Sequence, residues 1–338
     1  MRRTVCILLA STIAFGDPAL SLASDPPPPL EDIRAVDAEM AEIGYRLAVA
    51  NASLCDRQEP GLGILVHTPT QYGLNVRDIA LRHFHLDGPA GVEAVIDGSP
   101  AAGAGVKPDD TLLGAGPIRF APSDLHAEGS TEAVIKIAGQ IAHLPADKPL
   151  QLYGRRDGVD YAYTVDPVPA CRTRFEVVAG PEFIAKADGE MVQIGSRFFA
   201  DYPDLVAAPI AHELAHNILH HRDRLEAKGA AYGMMSEFGR NIGYFRQTEL
   251  EADILSVSLL ANAGYDPQIA VRFWRLFGPD HSGGMLRSRT HPAWKDRLAT
   301  IEHAIKSLGP ERPVHPAILA ERDKPLDGDW QRLQVAGR

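Results

Sequence analysis

The chain has 338 residues, 45% of them apolar and 23% charged, and carries a formal net charge of −10. That length and composition can bury a sizeable core in about two domains. The negative charge argues against nucleic acid or anionic lipid as the main partner.

Residues 1–23 read as an export signal. Arg2 and Arg3 precede the apolar run Val5 to Phe15, and Ser21-Leu22-Ala23 offers small residues for cleavage. The run is too short to span a bilayer and no later stretch is long enough, so the mature protein is expected to be soluble and exported, most simply into a bacterial periplasm. Peripheral membrane association and oligomeric state stay open. Cys6 lies in the leader. Cys55 and Cys171 remain, an even count in an oxidising compartment, and are expected to form a disulfide.

Ser24 to Leu30 is a proline-rich linker. Ile33, Val36, Met40, Ile43, Leu47 and Ala50 then mark one face of a helix from Glu31 to Leu54, so residues 24–55 supply a linker and a helix whose face must pack elsewhere. Over residues 56–168 the pattern changes to short β-type runs. Gly61 to Val66 predicts a strand entered through a glycine turn, Val92 to Ile96 a second strand, Asp97-Gly98-Ser99-Pro100 a turn, Thr131 to Ile141 a helix, and Leu150 to Val165 a hairpin turning at Arg156-Asp157-Gly158. The order Gly61-Leu62-Gly63-Ile64, then Gly98-Ser99-Pro100-Ala101-Ala102, then Lys107-Pro108-Asp109-Asp110 resembles a PDZ domain of the bacterial protease-associated type. The resemblance implies a groove at Gly61, Leu62, Gly63 and Ile64 where an extended peptide or a free C-terminus adds as a strand. Asp109, where that family usually has glycine, and Ala115 depart from its turn pattern.

Residues 169–307 form the second unit, with residues 308–338 as a C-terminal tail. Phe175 to Val178, Glu182 to Ala187 and Met191 to Ile194 read as strands, the last two joined by the turn Asp188-Gly189-Glu190. Then comes His212-Glu213-Leu214-Ala215-His216 on an apolar helix. Residues four apart share a helix face, so the two imidazoles can converge on one tetrahedral zinc ion, with Glu213 beside it as general base. A catalytic zinc site needs a third protein ligand and one open position. His220 and His221 follow on the same chain direction but drift round the helix axis, which suggests surface or helix-end positions. The better candidate lies in Gln247 to Leu255, where Glu249 and Asp253 are four apart: Glu249 can ligate, and Asp253 can orient a ligating histidine. Glu251 points away and is expected at the surface.

The pairing of His212-Glu213-x-x-His216 with Glu249-x-x-x-Asp253 resembles the M48 family of zinc metallopeptidases, and Thr290-His291-Pro292 followed by Arg297 is similar to a later element of that family. The resemblance implies an α+β architecture, a mainly helical gluzincin-type domain with a small sheet, here carrying an inserted β-rich PDZ-like domain. It also implies one Zn2+ per chain and places His291 and Arg297 beside the oxyanion. The implied function is endopeptidase action on polypeptides, in an exported protein those of the envelope. The alternative is a chaperone-like or peptide-binding protein with a latent zinc site. The glycine-rich stretch from Gly278 to Thr290 reads as a lid that can bring His281 or His291 to the open zinc position.

Overall fold

In the computed structural model, which describes residues 30–230, 241–281 and 290–334, the apolar face of the first helix decides where it packs. The expected leader and nearly all of the proline-rich linker lie outside the described residues. Helix α1 (Leu30–Ala50) buries Met40, Leu47 and Ala48 in the same core as Ile210, Leu214 and Leu255 from far later in the chain. Its end is pinned by Asn51, wholly buried, whose amide donates to the carbonyls of Leu47 (2.9 Å) and Leu259 (3.1 Å). The helix therefore stops short of the expected Leu54, and Ala52–Leu54 form a 3-10 turn.

The chain leaves this core through a two-stranded neck. Strand β1 (Gln58–Gly61) pairs antiparallel with β8 (Val168–Cys171), Gln58 opposite Cys171. Cys55 and Cys171 form a disulfide across 116 residues of sequence, with Cα atoms 5.4 Å apart. In a chain-entropy treatment, closing a loop of that length is worth about 4–5 kcal/mol.

Between the neck strands lies a second core, built around Leu62, Val92, Leu112, Ile137, Leu152 and Val165. Its sheet runs in the order β2 (Ile64–His67), β3 (Ala90–Val95), β4 (Thr111–Ala115), β6 (Leu150–Arg156), β7 (Val159–Val165), with the short β5 (Ile118–Arg119) on β4; all neighbours are antiparallel. The run from Gly61 to Val66, read as a strand entered through a glycine turn, does turn at its glycines: β1 ends at Gly61 and β2 starts at Ile64. Gly63 has φ +75°, and a Cβ there would lie 2.1 Å from that of Ser99, so the backbone turns and β2 begins at Ile64 with its outer edge unpaired among the described residues. Asp109 adopts φ +67°, the conformation glycine usually supplies, and accepts a hydrogen bond from Arg34 at 2.5 Å. Helix α2 (Leu74–His83) has no clear apolar stripe to announce it. It is held instead by buried Arg77, which donates to the carbonyls of Tyr72, Leu125 and Ala127. Helices α3 (Pro100–Ala104) and α4 (Glu132–Ala142) complete the unit.

Beyond the neck, β9 (Arg174–Val178), β10 (Ala185–Ala187) and β11 (Met191–Gly195) form a sheet in the order β10-β11-β9, with β10 antiparallel and β9 parallel to β11. Helices follow: α5 (Ser196–Asp201), α6 (Ala207–Ile218), α7 (His221–Ala227), α8 (Asn241–Asn262), α9 (Gln268–His281) and α10 (Trp294–Lys306). The stretch expected to loosen at Gly278 stays helical to His281, whose ring stacks on Phe277 with centroids 4.3 Å apart. The rest of the expected lid, residues 282–289, lies outside the described residues. Residues 309–334, within the expected C-terminal tail, pack against the rest of the chain. Ile318 and Leu326 are buried, Arg322 donates to the Leu54 carbonyl at 3.0 Å, and the amides of Asp327 and Gly328 donate to the Gln247 side chain. The chain mixes helices with mainly antiparallel sheets, compatible with an α+β arrangement. No described helix is long and apolar enough to cross a membrane.

Candidate metal centre

Helix α6 is apolar nearly all round, burying Ile210, Ala211, Leu214, Ala215 and Ile218, as a helix driven through a core must be. Pro209 is tolerated because it sits in the first turn, where an amide has no helical partner. The polar residues of this helix therefore need partners, from one another, from neighbouring elements or from a ligand. Nε2 of His212 and Nε2 of His216 are 3.1 Å apart. Helix α8 crosses beneath and brings Glu249 to 3.5 Å from His212 Nε2 and 3.6 Å from His216 Nε2.

Two nitrogens and a carboxylate at these separations suit a metal ion. The ligand atoms of a tetrahedral zinc ion, about 2.0–2.1 Å from the metal, lie about 3.3 Å from each other. Among the described residues, His212, His216 and Glu249 are the group of His, Cys, Asp and Glu that could hold an ion, with ligand atoms all within 4.8 Å of one another. Each stays slightly exposed, at 14, 16 and 13% for the side chains, so one side of the cluster opens outward.

Each histidine is held from behind by its other nitrogen. His212 Nδ1 is 3.2 Å from Asp253 Oδ1, and Asp253 is gripped by Arg297 through Nε (2.8 Å) and Nη2 (2.7 Å). Arg297 also reaches Glu249 through Nη1 at 2.9 Å and lies over the Trp274 ring. The family resemblance implies a place for Arg297 beside the oxyanion. Here three of its nitrogens are taken by carboxylates and it is buried, a geometry that positions Glu249 and Asp253. Burial alone would raise the Glu249 carboxyl, but the Arg297 charge and the nearby histidines hold it well below the usual carboxylate range, hence ionised and able to ligate.

His216 is backed by residues that sequence reading assigned to the surface. His221 is buried, and its Nδ1 lies 2.9 Å from His216 Nδ1. Its Nε2 lies 3.1 Å from Glu251, which is fully buried and salt-bridged to Arg224 at 2.7 Å. Gln247 donates to the same carboxylate at 2.8 Å. The expectation of a solvent-exposed Glu251 and of an outward His221 is thus corrected. A straight helix would carry His221 off the site, but α6 ends at Ile218, His220 takes the left-handed conformation at φ +52°, and α7 restarts at His221, folded back on α8. His220 does sit at the helix end, bonded to Asp56. The chain of bonds fixes tautomers: with Nε2 of His216 turned to a metal, its Nδ1–H donates to His221, whose Nε2–H donates to Glu251. Burial would raise the Glu251 carboxyl, but His221 and Arg224 hold it at about 2.

Glu213 is buried beside His212. Burial pushes its carboxyl up to about 7, the range in which a carboxyl takes and returns a proton near neutrality. His291 is half exposed, with Nε2 4.0 Å from Glu249 Oε1 and Nδ1 3.1 Å from the Thr290 hydroxyl, so it stands at the open side. His281 is committed to Phe277 and Phe183. Asn217 was not anticipated. It ties the hairpin to α6, accepting from the Gly189 amide at 2.8 Å and donating to the Met191 carbonyl at 3.3 Å; an asparagine on an otherwise apolar helix face was the available signal. Of the remaining expected site residues, Gly61 to Ile64 line a separate groove beside the neck.

The sequence of residues 230–305 matches Peptidase family M48. That stretch begins after the His212–His216 helix and includes Glu249, Asp253, His291 and Arg297. The chain is also similar to the mitochondrial metalloendopeptidase OMA1 of Schizosaccharomyces pombe, 28% identical over 120 residues, which span 29% of this chain and 36% of that protein. The chain thus matches little more than a third of the length of this relative. Residues 230–305 match Peptidase family M48, and with His212 and His216 from the preceding helix they complete a group of three side chains that could hold a metal ion.

Proposed function

We propose that the protein is a zinc-dependent endopeptidase of exported polypeptides, in which the β-rich unit is PDZ-like and binds part of the substrate. The observation that carries the peptidase reading is the convergence of His212, His216 and Glu249 next to a buried Glu213. Zinc held by the three ligands would supply a Lewis acid that polarises a peptide carbonyl and lowers the pKa of water to about 7. Glu213 takes the proton of the attacking water and returns it to the departing amine. Asp253 and His221 keep the two imidazoles in the ligating tautomer, and Arg297 keeps Glu249 ionised and in place. His291, at the open side, can hydrogen-bond the developing oxyanion. The outer edge of β10, beside α6, offers main-chain groups to align an extended substrate without selecting its sequence. The Cys55–Cys171 disulfide suits an oxidising compartment.

The test is cleavage of an unfolded protein such as casein by the purified full chain. Cleavage should occur at internal peptide bonds, cease with a strong zinc chelator and return on adding zinc. Cleavage that ignores the chelator, or metal-loaded protein that cuts no peptide bond, would reject the reading.

A further inference from the structure

A cavity of about 310 Å³ runs along the unpaired edge of β2, between that strand, α4 and the α1/β9 side of the helical core. Its walls suit an extended backbone: Ile64 and Val66 on one side, Val134, Ile135 and Ala138 on the other. Its floor is unusual for a site meant to hold a carboxylate. Asp37, Glu59, Glu93 and Glu176 all line it, against the single cation Arg174. Glu93 is only 4% exposed, and among the described residues no salt bridge within 4.0 Å reaches Asp37, Glu59 or Glu93; Glu59 accepts only a backbone hydrogen bond at Thr173. A buried carboxyl such as Glu93 with no cation in salt-bridge reach is costly, and a cleft lined mainly by one sign of charge draws the opposite one.

We propose that this groove takes an extended polypeptide segment through a lysine or arginine side chain set between small apolar residues, and that a free C-terminal carboxylate is not what it recognises. The inference rests on reading the β-rich unit as a peptide binder and adds what it selects. The backbone of the segment would add to the β2 edge, and its cation would reach the acids on the floor.

Burial holds the acids of this groove partly neutral. Burial, with Glu176 nearby, raises Asp37 to about 6; burial raises Glu59 to about 8 against the pull of Arg172 and Arg174; burial and Asp37 raise Glu93 to about 8 against Arg34. Tyr72 and Tyr45, also near these groups, stay neutral through this range because burial raises both. A bound cation favours the ionised carboxylates, so binding releases protons near neutrality. Affinity for a cationic segment therefore rises with pH between about 6 and about 8, whereas affinity for a carboxylate would fall as the floor ionises.

The experiment uses the full chain carrying Glu213→Gln, so that no peptide is cut, and fluorescence anisotropy with three labelled peptides of about ten residues, long enough to span an edge strand. One has a central lysine and an amidated end, the second glutamine for that lysine, the third glutamine and a free carboxylate. The lysine peptide should bind about 10- to 100-fold more tightly than the second, as charge-assisted hydrogen bonds allow, and should gain affinity from about pH 6 to about pH 8. Glu59→Gln with Glu93→Gln, which replaces carboxyls already largely neutral near neutral pH without a bound cation, should erase that preference. Equal binding of the first two peptides, or tightest binding of the third with affinity falling as pH rises, would overturn the inference while leaving peptide binding intact. No binding of any peptide would overturn it together with the peptide-binding reading of the unit.

Discussion

Glu213→Gln is expected to lower casein cleavage by about 100- to 10,000-fold, the usual worth of a positioned general base, while the protein keeps its metal and its fold. Glutamine fills the same space but cannot take a proton. Glu213 is outside the ligand group formed by His212, His216 and Glu249, so its change should leave the coordinating atoms in place. It is buried beside His212 and Glu249, and the other carboxylates nearby are engaged, Glu249 in the ligand group and Asp253 by Arg297. Initial rates at matched metal content decide the matter. A variant that keeps activity within a few-fold would assign the base elsewhere, and one that loses its metal would make Glu213 a structural residue.

Glu251→Ala should be the most destabilising single change near the site, by about 3–5 kcal/mol, the cost of breaking a buried ion pair from one side. The loss strands the Arg224 guanidinium, itself buried, and leaves the Nε2–H of His221 and the amide of Gln247 without their acceptor. Glu251→Gln should cost less, since an amide oxygen still accepts. Because the folded carboxyl is held at about 2, below its unfolded value of about 4.3, its contribution is present above pH about 4.3 and is lost as pH falls toward 2. Urea unfolding at neutral pH checks the size, and a change below about 1 kcal/mol would mean that the pair adds little. The same variant should weaken metal affinity about 10- to 100-fold, because His216 loses the bond chain that fixes its ring.

Helical period made part of the site legible. A spacing of four residues brings His212 over His216 and Glu249 over Asp253, and those two faces meet in the fold. Cys55 and Cys171 could be paired from their even count, and they close the neck. The support behind His216 was not legible, because extrapolating one straight helix carries His221 outward; a single residue in the left-handed conformation, His220, reverses that geometry. Glu251 was misread for a related reason. Periodicity marks the face of α8 opposite Glu249 as distant from the metal, but α8 is buried on both faces, with Leu250, Glu251 and Ala252 all enclosed, and the second face meets α7. In the β-rich unit, the strands and the glycine turn at Gly63 followed from the local residues, whereas α2 rests on the buried hydrogen bonds of Arg77 and the positive φ of Asp109 is accompanied by its bond to Arg34. Tertiary partners fix these last two features, and no local pattern encodes them.

The most direct measurement is the metal content of the purified full chain, wild type beside Glu249→Ala, after dialysis against metal-free buffer. Ligation by His212, His216 and Glu249 predicts about one zinc ion per wild-type chain, as a three-ligand catalytic site holds, and little or none in Glu249→Ala. Wild-type protein that binds no metal, or a Glu249→Ala variant that retains the full complement, would contradict it.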